Sequence, residues 1–306
     1  MRLNLVNYIL FITILSCNSE DNNNIGNSTS TDKKLETITL TYTDTNNTIQ
    51  NKFIYDSNNN LIETRNEKNQ LVNSYTWDDN NRLTSHEFNE YSSDELFFKE
   101  IEFITYDDFS RISNIEHRSS SHSSEDGVNE LTPSNHKISY EGDKIIKTFD
   151  GGSTNIVEYL MDGELIKEVK LYNNDELSAD LSFEYDTNGN CISGSGPILI
   201  GFESELTSNI DLSVAYSSET KIKEFRRPFL NYELYKIESF NSLRQILTNQ
   251  IGKNFPSEIS WNSSENNKRN ITIEYIFDED NFVTQTKTSD LPDYPNSIIT
   301  ANYIWK

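Results

Sequence analysis

Cysteine is nearly absent from this 306-residue chain: Cys17 and Cys191 are the only two. Only Cys191 remains once Cys17 is assigned below, so no intramolecular disulfide framework is expected. Proline (6) and glycine (11) are sparse, which excludes a collagen-like or linker composition. Positive charge is short: 26 Lys and Arg face 49 Asp and Glu, a net of −23. A surface this acidic repels phosphate backbones and anionic membranes, so nucleic-acid binding is excluded. There is no P-loop, dinucleotide fingerprint or GxSxG elbow. Four histidines are available; His117 and His122 are five apart, and His86 and His136 stand alone. That is too few ligands at the wrong spacing for a metal site. Asp186, Asn188 and Asn190 alternate like the start of a calcium loop, but Gly189 falls at the fourth place and no Glu follows at the twelfth. No cofactor, no metal and no catalytic constellation is expected.

What the chain does have is aromatics, 16 Tyr and 16 Phe, and a recurring turn. "YDSNNNL" from Tyr55 returns as "WDDNNRL" from Trp77, "YDDFSRI" from Tyr106, "YDTNGNC" from Tyr185 and "FDEDNFV" from Phe277. Counting from each Asp, the third residue on is Asn59, Asn81, Ser110, Gly189 or Asn281, residues of which most tolerate the left-handed backbone of a three-residue hairpin loop. The Asp side chain pre-forms the turn by bonding the backbone two residues on. The residue before the Asp should then face the fifth after it: Tyr55 with Leu61, Trp77 with Leu83, Tyr106 with Ile112, Tyr185 with Cys191, Phe277 with Val283. Cys191 thus reads as a small buried hydrophobe rather than a nucleophile. An earlier copy at Asp44 departs, setting Thr43 opposite Ile49. Two tighter turns fit the same logic: Gly142-Asp143 sets Tyr140 against Ile145, and Asp162-Gly163 forms a second two-residue loop.

Between turns, alternation as in "ETITLTY" and "ITIEYIF" predicts strands. About 16 follow one another through short links, from 36–43 to 178–185 and, after a gap, from 257–262 to 298–305. Short links imply sequential antiparallel pairing. The expected fold class is therefore all-β: a long antiparallel meander forming a strongly curved sheet or open half-barrel. The alternate positions are mostly Thr, Ser, Lys, Glu and Asn. This predicts a water-facing outer side, unlike the apolar band of a membrane barrel.

Residues 1–17 read as a targeting segment: Arg2, an apolar stretch over Leu3–Leu15, then Ile14-Leu15-Ser16-Cys17. The ending resembles the lipobox of bacterial lipoproteins, which implies cleavage before Cys17 and its acylation, hence a stable membrane anchor. The following Asn18-Ser19-Glu20-Asp21 resembles the surface-export signal of Bacteroidota lipoproteins, which implies an outer-membrane address facing the cell exterior. Residues 18–34 read as a flexible tether, and 35–306 as one β-meander domain.

The tandem Tyr-Asp turns resemble the YD repeats of RHS proteins, with Asn where those repeats usually carry Gly. Together with the lipobox and the ending "YIFDEDNFVTQTKT" after "NFPSEISW", they resemble an uncharacterised Bacteroidota lipoprotein family with a porin-like fold. That resemblance implies a curved antiparallel sheet and brings no activity.

Residues 197–256 break the hairpin pattern. Leu230, Leu234, Ile237, Phe240, Leu243 and Leu247 are spaced as on an amphipathic helix, so a helical insertion over about 229–252 is expected, packed in the sheet's concavity. Phe225, Arg226, Arg227, Phe229, Tyr232 and Tyr235 form the most binding-like cluster, since Arg and Tyr are typical interface anchors. Loop 119–135 is long and polar, a hairpin tip or a recognition loop. The expected function is a non-catalytic cell-surface module that binds a glycan, peptide or protein, or supports a membrane complex. A secreted hydrolase of glycans or peptides is the alternative.

Overall fold

The computed structural model describes residues 33–43, 45, 47–92, 94–123, 127–130, 133–150, 155–163, 165–198, 208–221, 254–263, 269–289 and 298–306. The described residues contain nineteen strands. The first nine are β1 (Leu35–Tyr42), β2 (Thr48–Tyr55), β3 (Leu61–Asn66), β4 (Leu71–Trp77), β5 (Leu83–Ser92), β6 (Glu95–Tyr106), β7 (Ile112–Ser123), β8 (Gly127–Glu130) and β9 (Ser134–Glu141). Then come β10 (Lys144–Asp150), β11 (Ile156–Asp162), β12 (Leu165–Asn173), β13 (Glu176–Tyr185) and β14 (Cys191–Ile198). The last are β15 (Ser208–Lys221), β16 (Asn254–Ser263), β17 (Arg269–Phe277), β18 (Val283–Ser289) and β19 (Ile299–Trp305).

Each strand pairs antiparallel with the next, except that β8 pairs only with the end of β7, and β7 goes on to pair with β9. The last strand returns to the first, from Leu35↔Trp305 to Tyr42↔Ile299. Nineteen strands less β8 make a closed ring of eighteen. This corrects the open half-barrel expected from the sequence. Closure pairs the two ends of the chain, a contact that no local pattern announces, and it removes both sheet edges. No helix occurs among the described residues, and the expected insertion at 229–252 lies outside them.

Strictly alternating strand direction sorts the turns between two rims. The turns at Asp56, Asp78, Asp107, Asp186 and Asp278, with the tight turns at Gly142 and Gly163, all fall at one end, here the Asp-turn rim. In each of the five Asp turns the Asp amide bonds the carbonyl four residues on, as Asp78 N does to Arg82 O at 2.9 Å. Asn59, Asn81, Ser110, Gly189 and Asn281 all have positive φ, 58–80°. The Asp Oδ1 accepts two backbone N–H groups, for example from Asn80 and Arg82 at 2.9 Å each. The five expected cross-strand pairs, Tyr55↔Leu61 through Phe277↔Val283, are all present.

Immediately beyond each pair the register slips by one residue, the bulge that accompanies this loop. Lumen-facing residues therefore stand three apart at the start of the next strand: Leu61 and Thr64, Leu83 and His86, Ile112 and Ile115, Val283 and Thr286. A second regularity links neighbouring hairpins. The aromatic before a turn donates its polar tip to the carbonyl of the aliphatic residue in the preceding hairpin. Trp77 reaches Leu61 O (2.9 Å), Tyr106 reaches Leu83 O (2.8 Å) and Tyr140 reaches Ile112 O (2.9 Å). Tyr185 reaches Ile166 O (2.7 Å), Tyr216 reaches Cys191 O (2.8 Å) and Trp305 reaches Val283 O (2.7 Å). The aromatic ring buries apolar area while its tip satisfies a backbone acceptor, so these six aromatics latch their strands to the preceding hairpin.

Three strands go beyond the sequence reading. β8 and the upper part of β7 occupy what reads as loop 119–135. β14 and β15 run where the pattern seems to stop, because "CISGSGP" carries two glycines and a proline that normally interrupt strands. Gly196 is there because a Cβ would sit 1.9 Å from Asp180 O. Two registers are also corrected. Ile49 faces Leu40 rather than Thr43, since the link from β1 to β2 lies at the far rim, and Asp162 pairs with Leu165 across a bulge, so it belongs to the strand rather than to the loop.

The shielded face of this single closed sheet is its lumenal face. Ile38, Leu40, Val157, Ile166 and Val169 are 0% exposed. A round barrel of this strand number leaves a water-filled lumen, whereas these side chains are fully shielded from solvent. The outer wall is polar. It carries Thr39 between Gln50 and Asn302, Lys144 with Glu158 (3.2 Å), and Lys170 with Glu168 (2.5 Å) and Asp180 (3.7 Å). This is the reverse of a lipid-facing barrel wall.

Candidate functional site

One sector of the lumen is not apolar. Over β1–β3 and β11–β19 the core is a continuous cluster of Leu, Ile, Val and aromatics. Over β5–β9 a smaller cluster, Leu83, Ile104, Ile112, Ile115 and Ile138, fills only the part near the Asp-turn rim. Above it, strand register sets Tyr75, His86, Glu102 and His117 side by side on β4, β5, β6 and β7. The adjoining row runs Ile104, Ile115, His136 and Phe149 across β6, β7, β9 and β10.

His86 is buried, with Nδ1 3.1 Å from Glu102 Oε2 and Nε2 2.9 Å from Asn73 Oδ1. Asn73 in turn donates to Thr64 Oγ1 at 2.7 Å. The His86 ring stacks on Tyr75, centroids 4.9 Å apart. Burying Glu102 without such partners would cost several kcal/mol. His117 Nε2 lies 3.3 Å from Glu100 Oε2, and this pair is about a quarter exposed, so the row opens toward the far rim. His117 lies parallel to His136 at 6.5 Å, and His136 packs against Phe149 at 4.6 Å. Lys147, 0% exposed, sets its ammonium over the Phe149 ring at 4.3 Å. Burial, with the Lys147 charge and then His117 beside it, pushes His136 down to about 3 against the opposing pull of Glu102, so at neutral pH His136 is an uncharged ring.

Chemically this is a set of imidazole–carboxylate pairs beside one cation and three aromatic faces. It can orient hydrogen bonds and hold charge in a shielded place. Both His86 nitrogens face oxygens. Ser120 Oγ lies 3.0 Å from His122 Nε2, on the strand extension at the far rim. Cys191 is on β14, 0% exposed, and burial pushes its thiol up to about 12 against a hydrogen bond to Ser193 O. Among the described residues no three His, Cys, Asp or Glu side chains converge as metal ligands.

Cys17 and the cluster Phe225, Arg226, Arg227, Phe229, Tyr232 and Tyr235 lie outside the described residues. The strands on either side of the cluster, β15 and β16, meet at Lys221↔Asn254 on the Asp-turn rim. Sequence reasoning left His86 and His136 as isolated residues. The signal that unites them is the turn rule carried one step further: with the bulge included, the Asp78 turn sets His86 opposite Tyr75, and the Asp107 turn sets His117 opposite Glu102.

No protein-family model matches the chain, and no curated protein is similar to it. Among solved structures, a porin-like protein from Bacteroides vulgatus is similar over 90% of this chain and 99% of its own, at 13% identity and a TM-score of 0.46. A porin-like protein from Bacteroides uniformis is similar over 73% of this chain and 97% of its own, at 11% identity and a TM-score of 0.37. A TcdB2-TccC3 structure without its hypervariable C-terminal region is similar over 82% of this chain but only 14% of its own, at 11% identity and a TM-score of 0.22.

Proposed function

We propose that this chain is a non-catalytic lipoprotein of the outer membrane, held at Cys17 and facing the cell exterior. Its barrel serves as a rigid binding or structural module in the aqueous phase. The observation that carries the reading is the inverted polarity of the barrel: a largely apolar lumenal face inside a polar wall. Such a wall presents no apolar belt to lipid, so attachment to a membrane falls to the lipobox ending in Cys17. A glycan, peptide or protein is the expected class of ligand.

Feeding cells an alkyne-tagged palmitate tests the anchor: the wild-type chain should take up label and Cys17→Ala should not. Protease added to whole cells tests the face, and the chain should be cut without lysis. An unlabelled wild-type chain, or one protected until lysis, would contradict the corresponding half. A hydrolase of glycans or peptides is the second reading. The lumenal His86–Glu102 and His117–Glu100 pairs favour it, and turnover lost in Glu102→Gln would establish it.

A further inference from the structure

The place where the chain enters the barrel gives that barrel an orientation. β1 begins at the Asp-turn rim, where Lys34 and Lys306 exchange backbone hydrogen bonds of 2.7 and 2.8 Å. Lys33 is clamped to the same rim: its ammonium lies 2.8 Å from Asp278 and 2.6 Å from Asp280, and over the Phe282 ring at 5.1 Å. Fifteen residues, 18–32, separate Lys33 from Cys17. If these residues form the tether expected from the sequence, a chain of that length spans roughly 20–23 Å root-mean-square. Strands β6 and β7, twelve residues each, reach roughly 40 Å. An anchor at Cys17 therefore keeps the Asp-turn rim nearer the bilayer than the far rim.

Among the described residues, five of the nine exposed large apolar side chains lie near this rim, and three, Phe97, Val128 and Ile298, lie at the other. Ile54, Ile276 and Ile304 each point outward one residue before the rim aromatic of their strand, and are 37%, 51% and 53% exposed. They sit on β2, β17 and β19, either side of β1, where the chain enters. Phe109, at the tip of the Asp107 turn, is 78% exposed. Several of the turn carboxylates on this rim are engaged locally. Asp78 and Asp107 bind their own turn amides and pair with Arg82 (2.7 Å) and Arg111 (2.8 Å), while Asp278 pairs with Lys33. Local pairing lowers the repulsion that the chain's acidity would otherwise set up against a headgroup layer.

We propose that the Asp-turn rim is the surface this barrel rests on a phospholipid headgroup layer, with Ile54, Ile276, Ile304 and Phe109 as its contact residues. The far rim, with β8 and the open side of the histidine row, then faces away and is left for a ligand. The inference rests on acylation of Cys17.

The test uses the full lipidated chain in phosphatidylcholine–phosphatidylethanolamine vesicles carrying a headgroup energy-transfer acceptor. A donor dye is placed at Phe109→Cys or at Val128→Cys. Both sites are exposed, and the remaining thiol, Cys191, is buried. Intact mass first establishes the acyl chains. The expected result is a loss of donor emission at position 109 that is absent at position 128 and is reduced by adding Ile276→Glu and Ile304→Glu. Acylated protein with equal or reversed losses would overturn the orientation and leave the anchor standing. Loss unaffected by the two glutamates would overturn the assigned contact residues. A mass without acyl chains would overturn both the anchor and this inference.

Discussion

Tyr55 and Tyr106 occupy the same position in the Asp56 and Asp107 hairpins, yet their hydroxyls fare differently. Tyr106 donates to Leu83 O, whereas the buried Tyr55 hydroxyl meets no acceptor among the described residues. Removing Tyr106's bond should cost about 1 kcal/mol in Tyr106→Phe, while Tyr55→Phe should be neutral or stabilising, because burying an unpaired hydroxyl is itself costly. Urea denaturation of both variants checks the pair. Equal losses would mean that the latch is not what the aromatic tip supplies. Gly196→Ala is a sharper case. Its added carbon would lie 1.9 Å from Asp180 O, so backbone must shift, and a loss of about 3 kcal/mol or more is expected in the same assay. Residue-level features of this kind divide in legibility. The Asp, the left-handed residue three on and the facing aromatic–aliphatic pair are readable, because the turn is a local structure with local chemistry. Gly196 is not, because what it avoids is a carbonyl on another strand.

At the scale of the hairpin, the bulge after each Asp turn is the device that matters most. It slips the register by one, so the residue that a period of two places outside is turned inward. Ile115 and His86 are both examples, each three residues after the turn's aliphatic partner. Plain alternation therefore misassigns the strand that follows, and this is why the histidine row was hidden while the strands themselves were evident. The Asp carboxylates should make these hairpins acid-sensitive. Burial pushes Asp78 and Asp107 up, but hydrogen bonds from their turn amides and arginines outweigh it and hold both below the usual carboxylate range. Their contribution is present at neutral pH and fades as acid protonates them. His136 acts in the same direction over a different window. Its imidazole is held down to about 3 in the fold and returns to about 6.5 when unfolded. The unfolded chain thus binds the extra proton first, and stability should fall on acidification between about pH 6.5 and 3, by about 1.4 kcal/mol per pH unit. Thermal melts across that range should show the decline, and His136→Gln should flatten it. An unchanged slope in His136→Gln would place the acid sensitivity elsewhere.

Across the whole molecule, the all-β meander with a water-facing wall was legible in composition and alternation. Closure was not, since β1 and β19 are the two ends of the described chain and meet only after everything between them has paired. The expected binding cluster at Phe225–Tyr235 lies outside the described residues, so the lumenal histidine row and the Asp-turn rim now carry the testable chemistry. Both depend on one claim, that this barrel keeps its apolar side chains inside and water outside. The most direct measurement is the folding of the chain from residue 18 onward in detergent-free buffer. The expected result is a monodisperse, β-rich protein by circular dichroism, with a cooperative melt that added micelles leave unchanged. A chain that aggregates in buffer and gains its β signal and its melt only in micelles or vesicles would contradict the claim, for it would mean that the barrel wall belongs in lipid.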